Sequence, residues 1–368
     1  MGRRLGLDKT LAWKVARFVE GADPVAAVRH MPGAGGVEII VRAAEAQRVS
    51  GAILERVRLA DRDLREFVSR HAGDRRAFEA MLSGELGGAR NESDERRAYF
   101  RSGSALWGVR AKLQFLMLAL APSADRPGRL DAAQVSGFVD FERLRPDLPW
   151  IVRRLRAHSD SGADVYRVIR TPLVAERARR GLPPLFDAHC SQPAPELRQF
   201  ERENGWVYDE LAPVEPGRVG RAGAITVVLG ERYMGALPME RSEDNAVGTY
   251  TLTVRTPVEC VLFDLLLHRD LTHFGAPRRA VYGLLEDRPP AGDRPAPLID
   301  AAPAADLGPA ALVQTHRWDR YPKLVDDALA LAGFAPRGQF RGYRAEVDYP
   351  TFPCDLKMEL EIGPTALR

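Results

Sequence analysis

Two aspartates and two histidines near position 270 carry the side chains that catalysis or metal binding requires. Asp264, His268, Asp270 and His273 all fall within "DLLLHRDLTHFG". The proline and the apolar run of "PVECVLFDLLLHRDL" predict a helix here, which places Asp264 and His268 on one face, one turn apart. Imidazole and carboxylate groups together bind a metal ion or act as an acid–base pair. One hypothesis is therefore an enzyme, metal-assisted, with its site at these four residues.

The same residues also have a structural interpretation. Histidine and arginine are common at helix ends, where they bind terminal carbonyls and complement the dipole, and Asp264 could pair with His268 or Arg269. The "HRDL" at 268–271 matches the catalytic loop of protein kinases, but Gly275 stands where that loop has asparagine. The other kinase motifs are missing, so a kinase is excluded. Because the sequence also lacks GxGxxG, GxSxG, HExxH and Walker motifs, we expect no cofactor.

Three further segments combine reactive or basic side chains, and each favours a structural role. In "FDAHCSQP" His189 and Cys190 are neighbours, which do not face each other as a base and a nucleophile would, so a loop with a buried cysteine is expected. The cluster "THRWDRYP" at 315–322 is typical of an anion site, but packing and helix capping are favoured. The arginine-rich "RLRPDLPWIVRRLR" at 143–156 predicts a solvated helix face.

A basic amphipathic helix is predicted close to the first residue of the sequence. Asp8 is placed to cap it, and Gly6 gives the preceding turn its backbone freedom. One face carries the apolar residues Leu11, Val15, Phe18 and Val19. The other face carries Lys9, Thr10, Trp13, Lys14 and Arg17. Such a division suits a helix that packs on one side and offers hydrogen-bond donors to DNA on the other.

The stretch "LGLDKTLAWKVARF", within residues 5–19, resembles the turn and recognition helix of bacterial helix-turn-helix transcriptional regulators. The resemblance implies double-stranded DNA as partner and Lys9, Thr10, Trp13, Lys14 and Arg17 as the contacting residues. Only Met1 to Leu5 stand where the first helix of the motif belongs. An upstream start or a partner is then expected to supply that helix. The alternative is an amphipathic surface helix with solvated basic residues.

The fold class predicted is α+β, with a helical N-terminal region followed by a mixed or antiparallel sheet with helices. The expected order is a partial helix-turn-helix segment at 1–35, a helical bundle at 36–120, a linker at 121–131 and an α+β domain at 132–368. The bundle includes "LQFLMLALAP" at 113–122 as a buried helix. "DPVAAVRHM" and "DRRAFEAMLSGEL" are further helix predictions, the first with Asp23 as cap.

In the C-terminal part, β-branched and alternating segments predict strands at 164–174, 223–233 and 248–257. "RRAVYGLLEDR", "FRGYRAEVDYP" and "CDLKMELEI" are also predicted strands, and "YPKLVDDALALAGF" is a helix closed by Gly333. The proline- and alanine-rich segment 289–309 is expected to be a flexible loop. No regular alternation of strands and helices occurs, so a Rossmann domain is excluded.

Composition restricts the class of protein further. The 368 residues are 45% hydrophobic and 28% charged with a net charge of +3, which is typical of a globular protein. The three cysteines form no CxxC pair, so a reducing cytoplasm is expected. No signal peptide or membrane-spanning run is apparent.

The sequence thus predicts a cytoplasmic, homo-oligomeric, DNA-binding regulatory protein whose C-terminal domain binds an unnamed small-molecule effector or a partner. Enzymatic activity is not favoured. The alternatives are the enzyme described above and a structural or assembly protein without catalysis.

Overall fold

The chain forms two compact units. The computed structural model describes residues 6–21, 27, 30–75, 77–78, 81, 92–156, 170–202, 206–214, 219–239, 246–284, 290–291, 294–295 and 299–363. The division falls between a helical unit, Met1–Glu92, and a sheet unit, Ser93–Arg368. Helices thus precede a sheet-rich region, which confirms the α+β class.

In its described residues, the helical unit contains three long helices. They are α1 (Lys9–Glu20), α2 (Ala34–Ala46) and α3 (Gly51–Ala72). The helices α2 and α3 pack against each other and are joined by an ion pair of 2.8 Å between Glu45 and Arg58. The predicted helix at "DPVAAVRHM" and its cap Asp23 lie largely outside the described residues, as does most of "DRRAFEAMLSGEL".

The next helix belongs to the sheet unit and not to the predicted bundle. It is α4 (Glu92–Trp107), and it packs on the strand-rich region through Tyr99, whose hydroxyl donates to the carbonyl of Phe352. A Cβ at Gly103 would lie 2.2 Å from Cζ of Phe352, so only glycine lets the ring approach this closely.

The strands of the sheet unit differ from the expected pattern at several points. In chain order they are β1 (Val109–Pro122), β2 (Arg129–Arg143), β3 (Trp150–Arg156), β4 (Arg170–Pro172), β5 (Leu197–Glu201), β6 (Trp206–Leu211), β7 (Ile225–Pro238), β8 (Val247–Val254), β9 (Val258–His268), β10 (Arg278–Gly283), β11 (Pro290–Ala291), β12 (Arg294–Pro295), β13 (Ile299–Pro303), β14 (Ala305–Asp306), β15 (Phe340–Asp348) and β16 (Cys354–Glu361). The described part of the unit also contains the helices α5 (Ala175–Arg179) and α6 (Tyr321–Ala332).

The main sheet has seven strands in the order β14-β15-β9-β1-β2-β7-β4. Only the β1–β9 pair is parallel, and the other pairs are antiparallel. The helical prediction for 113–120 is wrong because this segment is β1, buried in the middle of the sheet. The predicted linker at 121–131 is also wrong, since β1 and β2 pair from Val109 with Arg143 to Pro122 with Leu130 and the segment makes the turn between them.

Three smaller sheets lie in the described part of the same unit. Their strand orders are β13-β10-β16-β8, β3-β6-β5 and β11-β12. The helix predicted around Asp264 is wrong, because its residues form β9. The expected solvated helix at 143–156 is wrong as well, since it contains β3. Within the predicted flexible loop 289–309, the described residues include β13 and β14, each paired with a neighbouring strand.

Other expectations are confirmed. The helix α6 ends at Gly333, which has the left-handed φ of 77°. The strands β10, β15 and β16 and most of β7 and β8 lie where the sequence places them. Of the predicted strand 164–174, residues 164–169 lie outside the described residues, and Arg170–Pro172 forms β4.

The two faces of the main sheet are covered by different elements. Phe115 on β1 packs against Trp318 and Tyr321, with ring centroids 5.4 and 5.9 Å away, so the α6 side covers its face. The neighbouring Gln114 points to the opposite face, where its amide donates to the carbonyl of Thr253 on β8. The sheet is therefore a central layer, which explains why β1 and β9 are apolar along almost their whole length.

Candidate functional sites

The helix α1 presents all five predicted DNA-contacting residues to solvent. Lys9, Thr10, Trp13, Lys14 and Arg17 are exposed, whereas Leu11 and Val15 are buried. The carboxylate of Asp8 accepts hydrogen bonds from the backbone N–H groups of Thr10 and Leu11, at 2.9 and 3.0 Å, so the predicted cap is confirmed.

The apolar face of α1 is shorter than predicted. Leu11 lies against the start of α2. A Cβ added to Gly36 would lie 3.2 Å from Cδ1 of Leu11. Phe18 and Val19 were expected on the buried face, but they are 36% and 66% exposed. The described part of the helical unit therefore covers the first half of this face and leaves the second half open.

Two aromatic contacts order the exposed face of α1. The rings of Trp13 and His30 meet edge to face with centroids 5.2 Å apart. The guanidinium of Arg17 lies 6.0 Å from the centroid of Trp13, one turn away along the helix. The exposed face thus carries two lysines, one arginine and a tryptophan whose ring contacts His30 and Arg17.

The four residues of the predicted enzymatic site are not brought together. Asp264 is fully buried and forms a two-pronged ion pair with Arg344, at 2.7 Å for each contact. His268 lies 3.4 Å from the carboxylate of Asp270, and Nε2 of His273 lies 3.0 Å from the carbonyl oxygen of Met239. Among the described residues, these four supply no cluster of three ligand atoms close enough for a metal ion.

The Asp264–Arg344 pair is part of the core. Full burial raises the pKa of the Asp264 carboxyl, and the hydrogen bonds and charge of Arg344 oppose that shift. The guanidinium also donates to the carbonyls of Val313 and Gln314. Since the carboxylate has no route to solvent, Asp264 is a structural residue and does not pair with His268 or Arg269 as the sequence suggested.

A different set of side chains has the spacing of metal ligands. Ligand atoms of Cys260, Glu346 and Asp348 lie within 4.8 Å of one another. Arg317 donates to Glu346 at 2.8 Å and to Asp348 at 2.5 Å, so one guanidinium already binds both carboxylates. Burial raises the pKa of the Cys260 thiol, which disfavours the thiolate that binds metals. We therefore assign no metal to this cluster.

The segment around His189 and Cys190 has the buried cysteine that the sequence predicts. The thiol of Cys190 lies against the backbone of Phe186 and Val228, and burial raises its pKa to about 11. Nε2 of His189 lies 2.9 Å from the carboxylate of Asp327 on α6. Its Nδ1 is buried and has no hydrogen-bond partner among the described residues. The two side chains serve different contacts and make no nucleophile–base pair.

Acidic pH is expected to destabilise the sheet unit through His189. Burial lowers the pKa of His189 from its usual 6.5, although Asp327 opposes the shift. The unfolded chain therefore takes up a proton near pH 6.5 that the folded chain does not accept until a lower pH. The contribution of the neutral His189 side chain to the free energy of unfolding is therefore fully present above pH 6.5. It is lost as the pH falls below 6.5.

Thermal unfolding from pH 7.5 to pH 5 tests this expectation. The melting temperature of the unmodified chain should fall more steeply below pH 6.5 than that of His189→Gln, which has no titrating ring. Parallel curves for the two proteins would show that His189 is not the responsible group.

The aromatic and basic cluster at 315–322 has a packing role, as predicted. The ring of Trp318 lies 5.4 Å from that of Phe115, and Tyr321 is fully buried. Arg317 is used in the ion pairs described above, and Arg320 donates to the carbonyl of Ala188.

A cavity in the sheet unit is a further candidate. We call it the arginine cavity; its volume is about 200 Å³. It is lined by Gln114, Phe115, Leu116, Gln134, Ser136, Gly137, Phe138, Ile151, Val152, Arg153, Arg154, Trp206, Val227, Leu229, Thr251, Leu252, Thr253, Arg255 and Thr256. Strands β1, β2 and β7 of the main sheet contribute to its lining, together with β3 and β6 of one smaller sheet and β8 of another.

Arg153 is the buried charged group of this cavity. Its Nε donates to Asp209 at 2.6 Å, and its Nη1 donates to Glu231. Burial disfavours its charge, but the two carboxylates more than offset this and raise its pKa. Gln199 donates to Asp209 at 2.7 Å and the hydroxyl of Tyr233 donates to Glu231 at 3.2 Å, so the carboxylates have further donors.

Two buried polar atoms of the cavity residues lack partners. Within the part of the chain that the structure describes, neither Nη2 of Arg153 nor Oε1 of Gln114 has a hydrogen bond. Leaving such groups unsatisfied in the interior costs about 1–3 kcal/mol each, and more for a charged group. Two residues of the cavity lining thus carry an unused donor, on a guanidinium, and an unused amide acceptor.

Sequence reasoning missed this cavity because its polar residues come from distant segments. Asp209 and Glu231 follow Arg153 by 56 and 78 residues. The only local signal is the β-branched pair Ile151 and Val152 beside Trp150, which the surrounding arginines concealed. The prediction of a solvated arginine at this point is wrong for Arg153, because its side chain is 8% exposed.

Comparison with known proteins adds no family to this description. The chain matches no protein-family model, and a search of curated proteins found no match. In the described residues, no helix has both the length and the apolar character that crossing a membrane requires.

Proposed function

We propose that the chain is a DNA-binding regulatory protein that contacts DNA through the exposed face of α1. The observation that carries the proposal is the division of α1 into a buried apolar side and an exposed side with Lys9, Lys14 and Arg17. Phosphate contacts from these basic residues would supply most of the affinity, while Thr10 and Trp13 would reach base edges in the major groove.

The open half of the apolar face supports the same proposal. A recognition helix packs on the first helix of its motif. Phe18 and Val19 are exposed in the described structure, so they are available for such a helix. An ordinary surface helix would place polar residues at these two positions.

The sheet unit then serves as the ligand- or partner-binding part of the regulator. It holds the arginine cavity, whereas the four residues of the enzymatic alternative do not converge: Asp264 is buried in its ion pair with Arg344, and His273 contacts a backbone carbonyl. The homo-oligomer and the cytoplasmic location stay predictions of the same proposal.

Salt-dependent DNA binding is the expected result that tests the proposal. Fluorescence anisotropy of the full chain with random duplex DNA should show affinity that falls by orders of magnitude from about 50 to 200 mM salt. Lys9→Ala/Lys14→Ala should weaken binding about tenfold or more and reduce the slope of log K against log salt by about two.

A matched control removes two exposed basic residues elsewhere in the helical unit. Arg56 and Arg62 on α3 are exposed, and Arg56→Ala/Arg62→Ala changes the net charge by the same amount. This control should keep the slope of the unmodified chain. If the full chain shows no salt-dependent binding, or if both double variants lose it equally, α1 is not the DNA-contacting element.

A further inference from the structure

We infer that the arginine cavity binds a small organic oxyanion, meaning a carboxylate or a phosphate on a compact apolar body. The inference deepens the part of the proposed function that makes the sheet unit a ligand-binding unit, and it does not depend on DNA contact by α1. It stands on the charge of the lining, the unused polar atoms and the size of the cavity.

The lining is cationic. Arg153, Arg154 and Arg255 contribute to it, and the carboxylates of Asp209 and Glu231, which pair with Arg153, are not among the described lining residues. The guanidinium of Arg154 lies 3.9 Å from the ring centroid of Trp206, which holds it at the cavity wall. Arginine is suited to carboxylates and phosphates because its planar group donates two parallel hydrogen bonds to them.

The guanidinium of Arg153 can donate to one more hydrogen-bond acceptor through Nη2. Two of its nitrogens are used by Asp209 and Glu231, which fix the orientation of the guanidinium, while Nη2 has no acceptor in the described structure. An oxyanion oxygen would satisfy it. The acceptor Oε1 of Gln114 is also unused, so a ligand that carries a hydroxyl or amine beside its anionic group would satisfy both.

The rest of the lining limits the body of the ligand. Leu116, Phe138, Val227, Leu229 and Leu252 give the cavity an apolar wall. A cavity of about 150 Å³ with such walls holds benzene. The arginine cavity, at about 200 Å³, has room for a ring of that size with one anionic substituent.

Three small aromatic ligands of similar size distinguish binding that depends on the anionic charge from binding that depends on shape alone. Benzoate and phenyl phosphate carry the two kinds of oxyanion, and benzamide is their neutral counterpart. Isothermal titration calorimetry of the full chain without DNA should show that at least one anion binds tenfold or more tightly than benzamide. The tighter of the two anions identifies the preferred group.

Variants at the exposed arginines of the lining test the location. Arg154→Ala and Arg255→Ala remove side chains that form none of the Arg153 ion pairs, so the fold should persist, and each should weaken anion binding about tenfold. Arg221→Ala is the matched control, because Arg221 is exposed and does not line the cavity. Ser136→Leu keeps every charge but fills the cavity, and it should abolish binding.

Two outcomes would overturn the inference. In one, neither anion binds more tightly than benzamide. In the other, anion binding survives in Ser136→Leu and is weakened equally by Arg221→Ala and Arg255→Ala, which would indicate a general surface attraction. Because these titrations contain no DNA, their failure leaves the role of α1 untouched, and a failure of the anisotropy experiment leaves the cavity untouched.

Discussion

Replacing Arg344 with methionine is expected to lower the free energy of unfolding of the sheet unit by about 3–5 kcal/mol. The reason is the carboxylate that remains. Asp264 lies directly across from Arg344 in the β9–β15 pairing and is 0% exposed. Without the guanidinium its charge is buried without compensation, or it must take up a proton. Urea denaturation followed by circular dichroism measures the loss, with the slope of the transition checked for constancy.

A double variant provides the control for this pair. Asp264→Leu/Arg344→Met removes both charges and keeps the volume, so most of the stability should return. The interaction energy from the full cycle should be large, since both groups share the same contacts. If Arg344→Met costs less than about 1 kcal/mol, the pair is not the buried, mutually dependent element described above.

Replacing Gly137 with alanine is expected to destabilise the sheet unit by roughly 3 kcal/mol. Gly137 lies on β2, paired with Phe115 on one side and Val228 on the other. A Cβ at this position would lie 2.0 Å from the carbonyl oxygen of Val227 and 3.1 Å from Cα of Val228. Both atoms are backbone, so the clash is relieved only by moving β7 away from β2.

Gly338→Ala is the matched control for Gly137→Ala. A Cβ at Gly338 meets no atom within 4 Å among the described residues, and its substitution should change stability by less than about 0.5 kcal/mol. Urea denaturation of the two variants beside the unmodified chain measures the difference. Equal stabilities for the two variants would show that the β2–β7 contact tolerates an extra carbon.

The sequence correctly predicts the type and position of a helix or strand where one side of that element faces solvent. The helix α6 and the strand β16 were located correctly because they alternate between buried and exposed residues with the period of their type. The strands β1 and β9 were mistaken for helices because they are buried on both faces and have no such period. A short apolar run of this kind is compatible with either structure, and only pairing with distant strands decides it.

The candidate sites divide in the same way. The exposed face of α1 follows from twelve consecutive residues and a cap, so it was predictable. The partnership of Asp264 with Arg344 joins residues 80 positions apart, and the sequence offered only the nearer His268 and Arg269. The arginine cavity is lined by residues of six strands, and nothing in any one of them identifies it.

The parallel pairing of β1 with β9 has a consequence for how the chain reaches its native state. Ala111 pairs with Val258, and Leu120 pairs with Leu267. During synthesis, roughly 150 residues must therefore follow β1 before its second neighbouring strand, β9, has been made. Until then only the hairpin with β2 protects one edge of "LQFLMLALAP". Long-range pairings of this kind fold slowly and leave apolar edges open to association with other chains. We therefore expect the refolding yield to fall as the protein concentration rises, with association beginning at the central strands.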